Sequence, residues 1–386
     1  IRPMAAPRTK AIPTTAATAD MIFAGENTAD SFGYRFVAGD LNADGKTDLV
    51  ISAGTYNTDY GRVYVYTFND KVITGNATGD QFGGGGLKTG DFNSDGKVDL
   101  IVGAPEYSSQ TGCVYIFYND CTLPTTAATA DVTITGETGS YFGSSITVGD
   151  FNSDGRIDFA TGANNYSTST GRAYIFYNDG TLPTTAATAD VTITGESVSN
   201  YFGTSFTTGD FNSDGRVDLA VGAWGYNSEN GRLYIFHNDG SIPTTAATAD
   251  MIITGSGGDF GFPLVGADIN ADGRTDLIVG SWDATSGTDH LYVFYNDGAY
   301  PSSVSGYDII SAGESATDEY TTDITAGDLN ADGIQDLVVS AHLYPSGTGV
   351  GRVYIILSEA KTLQGNPPAD MQVRGTAQFR GTTSIR

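Results

Sequence analysis

The sequence predicts an all-β chain, a β-propeller of four-stranded blades. Three observations carry that expectation. An acidic nonapeptide recurs six times, its copies begin 51, 59, 60, 58 and 60 residues apart, and strand-like runs flank each copy. A period near 60 residues suits one four-stranded blade and is too long for most helical solenoid repeats. A length of 386 residues alone suggests two or three domains, but regular repeats favour one closed array.

In its fourth copy the nonapeptide reads Asp210-Phe211-Asn212-Ser213-Asp214-Gly215-Arg216-Val217-Asp218. Side-chain oxygens at the first, third, fifth and ninth positions can wrap a hard cation. The glycine at the sixth allows the sharp bend, and the seventh residue can add its backbone carbonyl. The expected ligand sets are Asp40, Asn42, Asp44 and Asp48; Asp91, Asn93, Asp95 and Asp99; Asp150, Asn152, Asp154 and Asp158; Asp210, Asn212, Asp214 and Asp218; Asp268, Asn270, Asp272 and Asp276; and Asp328, Asn330, Asp332 and Asp336. The expected cofactor is calcium, about six ions. Without it each loop crowds three carboxylates together. With a Kd of ~10 µM and ~1 mM calcium, linkage contributes about 2.7 kcal/mol per site.

The formal net charge is −26, and 18 of the 45 acidic residues lie in these loops. That balance argues against nucleic acid or an anionic membrane as a main partner. Six divalent ions would bring the charge to about −14. Affinity of this class points outside the cell, so an extracellular or cell-surface, secreted location is expected. A chain that begins at Ile1 suits a processed product, and no run of 18 apolar residues is present to span a membrane.

Along the chain, residues 1–19 read as an extended arm with Pro3, Pro7 and Pro13. Within the arm begins an octamer, Pro13 to Asp20, that recurs unchanged at 124–131, 183–190 and 243–250. Residues 20–386 read as the propeller. In the fourth unit, Ser205–Thr208 is the first strand, Asp218–Ala223 a buried second strand and Gly231–Phe236 an alternating third. Asn238-Asp239-Gly240 turns the chain, and Met251–Gly255 is the outer strand. No segment shows helical periodicity. Cys113 and Cys121 stand eight residues apart, too far to pair along one extended strand, and replace Arg and Gly of other repeats. They are expected to be free thiols, with a bond between subunits as the alternative.

The same residues resemble the FG-GAP repeats of the integrin alpha-subunit β-propeller and its bacterial relatives. Phe-Gly stands at 32–33, 82–83, 142–143, 202–203 and 260–261, and Gly103-Ala104-Pro105 is a literal Gly-Ala-Pro, with looser versions at 162–164, 222–224 and 280–282. The resemblance implies metal loops between first and second strands on one face of the disc, and ligands engaged from the opposite face. It departs in the sixth repeat, where Glu319-Tyr320-Thr321 stands for Phe-Gly and Ile334 for the basic seventh loop residue. The sixth site is still expected to bind, because that position contributes its backbone.

Six complete repeats are followed by half a blade. Outer-strand segments begin at Met21–Gly25 and end at Met371–Gly375, and one further first strand runs from Phe379 to Ile385. The resemblance favours seven blades, with six as the alternative. The incomplete blade is open to three explanations: a fragment of a longer protein, a six-bladed monomer, or strands at 370–386 exchanged head-to-tail with another molecule.

The three histidines, His237, His290 and His342, form no zinc motif, and neither a nucleophile elbow nor a phosphate-cradling loop is present, so the chain is not expected to be an enzyme. The loop between second and third strands carries Tyr56, Tyr107, Tyr166, Tyr226 and Tyr344 at one offset, with Trp224 and Trp282 two residues upstream of it. On a propeller these ring the face opposite the metals, where aromatic groups suit a protein or glycan ligand. The competing expectation is that the tyrosines pack between blades. The expected function is an adhesive or structural interaction module. A subunit of an extracellular filament and a carbohydrate-binding lectin are the alternatives.

Overall fold

The structure, a computed structural model, describes residues 25–27, 30–66, 70–120, 122–282, 289–314, 319–330, 332–341 and 352–358. Among them the chain forms six antiparallel sheets, each one blade. Blade 1 comprises β1 (Phe32–Gly39), β2 (Asp48–Ala53), β3 (Arg62–Tyr66) and β4 (Lys71–Thr74); blade 2 comprises β5 (Leu87–Gly90), β6 (Asp99–Ala104), β7 (Cys113–Phe117) and β8 (Val132–Thr135). Blade 3 holds β9 (Ile146–Gly149), β10 (Asp158–Ala163), β11 (Arg172–Phe176) and β12 (Val191–Thr194). Blade 4 holds β13 (Phe206–Gly209), β14 (Asp218–Ala223), β15 (Arg232–Phe236) and β16 (Met251–Thr254). Blade 5 is β17 (Leu264–Ala267), β18 (Asp276–Ser281), β19 (His290–Phe294) and β20 (Ile309–Ala312); blade 6 shows β21 (Tyr320–Gly327), β22 (Asp336–Ala341) and β23 (Arg352–Ile356). The seven-bladed arrangement favoured by the sequence is therefore corrected to six blades among the described residues. The arm 1–19, the segments 21–24 and 370–386, Cys121 and His342 lie outside them.

The second strands of blades 2 to 5 are buried on both faces because each of these blades is sandwiched between two others. Side chains alternate across the strand. Thus Leu100 and Val102 of β6 join a cluster with Val50 and Val63 of blade 1, whereas Ile101 joins Phe159 and Tyr174 of blade 3. Five such clusters fill the five junctions from blade 1 to blade 6. Glycines allow the blades to approach. A Cβ on Gly162 would lie 1.9 Å from the carbonyl oxygen of Gly203 in the next blade, so no side chain fits there.

The repeated octamer is a staple between blades. Each described copy forms a single 3-10 turn whose first alanine (Ala127, Ala186 or Ala246) is buried. The threonine before it bridges the outer strand of the preceding blade, as in Thr74 with Thr126 and Thr135 with Thr185.

Candidate functional site

Every metal-type loop sits at the turn from first to second strand, and the six share one hydrogen-bond pattern. In blade 4, Asp210 accepts from the backbone N–H of Asp214 (Oδ1, 3.0 Å) and of Gly215 (Oδ2, 2.8 Å), and Asn212 Oδ1 accepts from the same Asp214 N–H at 2.9 Å. Asp214 Oδ1 in turn accepts from Arg216 N at 2.9 Å. Since Asp210 Oδ1 and Asn212 Oδ1 share one donor, the first and third positions converge. The loops at Asp40, Asp91, Asp150, Asp268 and Asp328 repeat this arrangement. The positive φ of 86° at Gly215 makes the bend that permits it.

The ninth aspartate is turned inward. Asp218 is fully buried, its Oδ2 accepting from Phe211 N at 2.9 Å and its Oδ1 from Asn238 N at 2.7 Å. Asp99, Asp158 and Asp276 make the same bonds, and Asp336 makes them to Leu329 N and Ser358 N. The asparagine that pairs with the aspartate reaches the neighbouring blade. Asn238 Nδ2 donates to Phe151 O, Asn178 Nδ2 to Phe92 O and Asn296 Nδ2 to Phe211 O. One buried aspartate thereby ties its own loop, the Asn-Asp-Gly turn and the preceding blade together.

Burial raises the carboxyl of Asp158 to about 6 and that of Asp276 to about 7, with repulsion from Asp154 and from Asp272 and Asp268 adding to it against the opposing hydrogen bonds. The donor set suits a hard, oxygen-seeking cation. The first Asp, third Asn, fifth Asp and seventh carbonyl would hold it, with the ninth Asp behind them. Among the described residues no three carboxylate, imidazole or thiol groups stand close enough together to form an ion cage by themselves. Arg156, Arg216 and Arg274, at the seventh position, extend instead to the carbonyls of Asn178, Asn238 and Asn296.

At the opposite end of the blades the chain leaves the second strand through a left-handed turn. Asn57, Thr58 and Asp59 have φ of 50°, 56° and 64°, and Ser108–Gln110, Ser167–Ser169 and Asn227–Glu229 follow suit. Three successive non-glycine residues in this region are strained. The predicted tyrosines precede these turns and are half-buried. Arg62, Arg172 and Arg232 lie over the rings of Tyr56, Tyr166 and Tyr226 at 3.6, 3.7 and 3.5 Å. Tyr107 packs edge-on against Tyr115 instead, and Tyr344 falls outside the described residues. Each of these contacts lies within a single blade, between the turn and the third strand that follows it.

The two tryptophans differ. Trp224 stacks on Tyr201 with centroids 4.3 Å apart and planes 13° from parallel, and Trp282 is 46% exposed. Both line a cleft of about 610 Å³ between blades 4, 5 and 6, together with Glu229, Asp259, Phe262 and Glu319. Sequence reasoning missed Tyr201, Asp259 and Glu319. A signal for them existed. They occupy the position before Phe-Gly or its replacement, which reads Ser31, Gln81, Tyr141, Tyr201, Asp259 and Glu319 through the six repeats. All six have φ between 45° and 57°. One backbone conformation thus presents changing chemistry, while the metal-type loops at the other end remain near-copies.

The chain matches the FG-GAP repeat over residues 32–66 and the FG-GAP-like repeat over 91–161, 150–221, 210–279 and 268–339. It is 31% identical over 252 residues to phosphatidylinositol-glycan-specific phospholipase D of Bos taurus, covering 58% of this chain and 29% of that protein. It is 34% identical over 221 residues to integrin alpha-IIb of Mus musculus, covering 53% and 20%. The chain therefore spans less than a third of the length of either relative. Among solved structures, a mutant of the Aleuria aurantia lectin in complex with Fucalpha1-6GlcNAc aligns at TM-score 0.42 and 12% identity, over 81% of this chain and 88% of that one.

Proposed function

The chain belongs to the FG-GAP repeat family, and we propose that it is a non-enzymatic, extracellular β-propeller, stabilised by calcium, that works as an adhesion or structural interaction module. The observation that carries this reading is the cleft lined by Trp224 and Trp282. It holds exposed aromatic surface beside carboxylates, at the end of the blades where the repeats diverge. Aromatic anchors in a concave, partly polar site are what protein and glycan recognition use. Calcium at the opposite end would neutralise the loop carboxylates and lock the turn between first and second strands. The likeness to integrin alpha chains supports an extracellular or surface setting.

Trp224 and Trp282 are the only tryptophans in the chain, so emission excited selectively at tryptophan, and not at the 22 tyrosines, reports on the cleft. Titrating soluble glycans and extracellular-matrix proteins in calcium should quench or shift that emission for at least one ligand, and Trp282→Ala should remove the response. A Trp282→Ala protein that binds the same ligand unchanged would move the function elsewhere.

A further inference from the structure

Blades 2 to 5 each pass from third to outer strand through the octamer or a diverged form of it, and the octamer carries threonine at its second, third and sixth positions. Two of these hydroxyls work inside the segment. At the third position Thr126 and Thr185 cap the 3-10 turn, accepting from Ala128 N and Ala187 N at 3.3 Å. At the sixth, Thr129, Thr188 and Thr248 donate to the carbonyls of Thr126, Thr185 and Thr245 at 3.0–3.1 Å. The second position differs. The carbonyls of Thr125, Thr184 and Thr244 accept from Thr74 N, Thr135 N and Thr194 N at 3.0–3.1 Å, which pins the backbone to the outer strand of the preceding blade. These three threonines are exposed, and among the described residues no hydrogen bond reaches their hydroxyls.

Blade 5 separates a hydroxyl kept for folding from one that folding does not use. Residues 301–308 share only the proline and the final aspartate with the octamer. Ser303 replaces the capping threonine and still caps, accepting from Ser305 N at 3.3 Å. Ser302 stands at the second position, exposed like its counterparts, with its carbonyl bonded to Thr254 N at 3.1 Å and no hydrogen bond to its hydroxyl among the described residues. Four successive blades thus present an unused hydroxyl at one place, each directly after a proline.

We infer that Thr125, Thr184, Thr244 and Ser302 are acceptors for O-linked glycosylation by a separate transferase. The proline and the bridge to the neighbouring outer strand hold the backbone in place, so the hydroxyl is offered outward on the folded protein. Ala128, Ala187 and Ala247 are exposed beside it and leave room for a sugar. In the transfer the hydroxyl oxygen attacks C1 of a sugar activated as a diphosphate ester. The new C1–O bond forms to the side chain, the C1–O bond to phosphate breaks, the diphosphate leaves with the bonding pair, and the hydroxyl proton passes to the base of the transferase. Charge selects a sugar over a phosphate. Each segment closes on an aspartate six residues later (Asp131, Asp190, Asp250 or Asp308), contains no Lys or Arg, and belongs to a chain of net charge −26. A phosphate there would meet only like charge, whereas a neutral sugar adds none.

The test uses native protein from its source cells, digested and sequenced by electron-transfer mass spectrometry. Hexose or N-acetylhexosamine increments on Thr125, Thr184, Thr244 and Ser302 are the expected result. Bare peptides at these four residues overturn the proposal, and so do phosphate increments on them or sugars carried by Thr126, Thr185 and Thr245 instead. A variant pair made in the same cells separates an acceptor from a structural group. Thr184→Ala should lose one glycan and, after enzymatic removal of the remaining sugars, melt within ~1 °C of the parent protein treated alike. Thr185→Ala, which removes the cap, should melt ~2 °C lower. A Thr184→Ala protein that keeps the full glycan mass, or melts as low as Thr185→Ala, overturns the proposal.

Discussion

Arg232 of β15 holds Glu196, which follows the outer strand of blade 3, at 3.0 Å across the junction of blades 3 and 4 while stacked 3.5 Å above Tyr226. Arg62 with Glu26, Arg172 with Glu137 and Arg352 with Glu314 form the same clamp at 2.8, 2.8 and 2.6 Å. Where one member is replaced, so is the other. Blade 2 has Cys113 for the arginine and Asn76 for the glutamate, with Asn76 Nδ2 donating to Tyr115 OH at 3.2 Å. Blade 5 has His290 and Ser256 at these places. A largely buried guanidinium without its carboxylate is costly, which accounts for the paired replacement.

The clamp should therefore behave as a unit. Arg232→Ala and Glu196→Ala are each expected to cost about 2 kcal/mol, with a coupling of about 1 kcal/mol between them in a double-mutant cycle followed by denaturant unfolding. In blade 2, Cys113→Arg alone should destabilise by about 3 kcal/mol, and adding Asn76→Glu should recover most of the loss. Independent, additive effects would show that the pairs do not interact. Cys113 itself is buried, which pushes its thiol up to about 12 and makes it a poor nucleophile for a bond between subunits.

The ninth loop aspartate and the others should separate by calcium dependence. Asp218→Ala strands the backbone N–H groups of Phe211 and Asn238 and should cost about 3 kcal/mol even in EGTA. Asp214→Ala should cost much less in EGTA and instead lower the calcium stoichiometry by one ion, read by isothermal titration. Equal losses from both variants in chelator would contradict that division of labour.

Chelation should lower Tm of the unmodified protein. For a site filled at about 100 times its Kd the linkage is about 2.7 kcal/mol, so emptying several sites moves the melting curve by many degrees. Thermal scans in calcium and in EGTA check this, and superimposable curves would reject the calcium reading.

Trp282 is expected to matter for binding and little for folding. Being 46% exposed, its replacement by alanine should shift stability by about 0.5 kcal/mol or less. Trp224→Ala, which removes the stack on Tyr201, should reduce both binding and Tm.

Strand positions, blade size and the metal-type loops were all readable in the amino-acid sequence. They depend on local rules: alternation of side chains, a glycine where the chain bends, and oxygen donors at fixed offsets. The second strand of the fourth unit was anticipated at Asp218–Ala223 and is found there. Partners distant along the chain were not readable. Asp218 was expected as an ion ligand; what the sequence did not show is that its carboxylate accepts from Asn238, twenty residues away, whose side chain reaches Phe151 of the neighbouring blade. The octamer was legible only as a repeat; that it buries Ala186 and bridges Thr185 to Thr135 of blade 2 was decided by packing. The tyrosines were placed at the right end of the blades, but only tertiary packing laid arginines over them. Blade number was decided the same way. Repeat count sets how many sheets form, whereas the cavity between the first and sixth depends on bringing residues some 300 positions apart, such as Phe36 and Val353, to line one space. Composition and spacing carry no record of such pairs, because the same apolar residue serves equally against a neighbour or in an open groove.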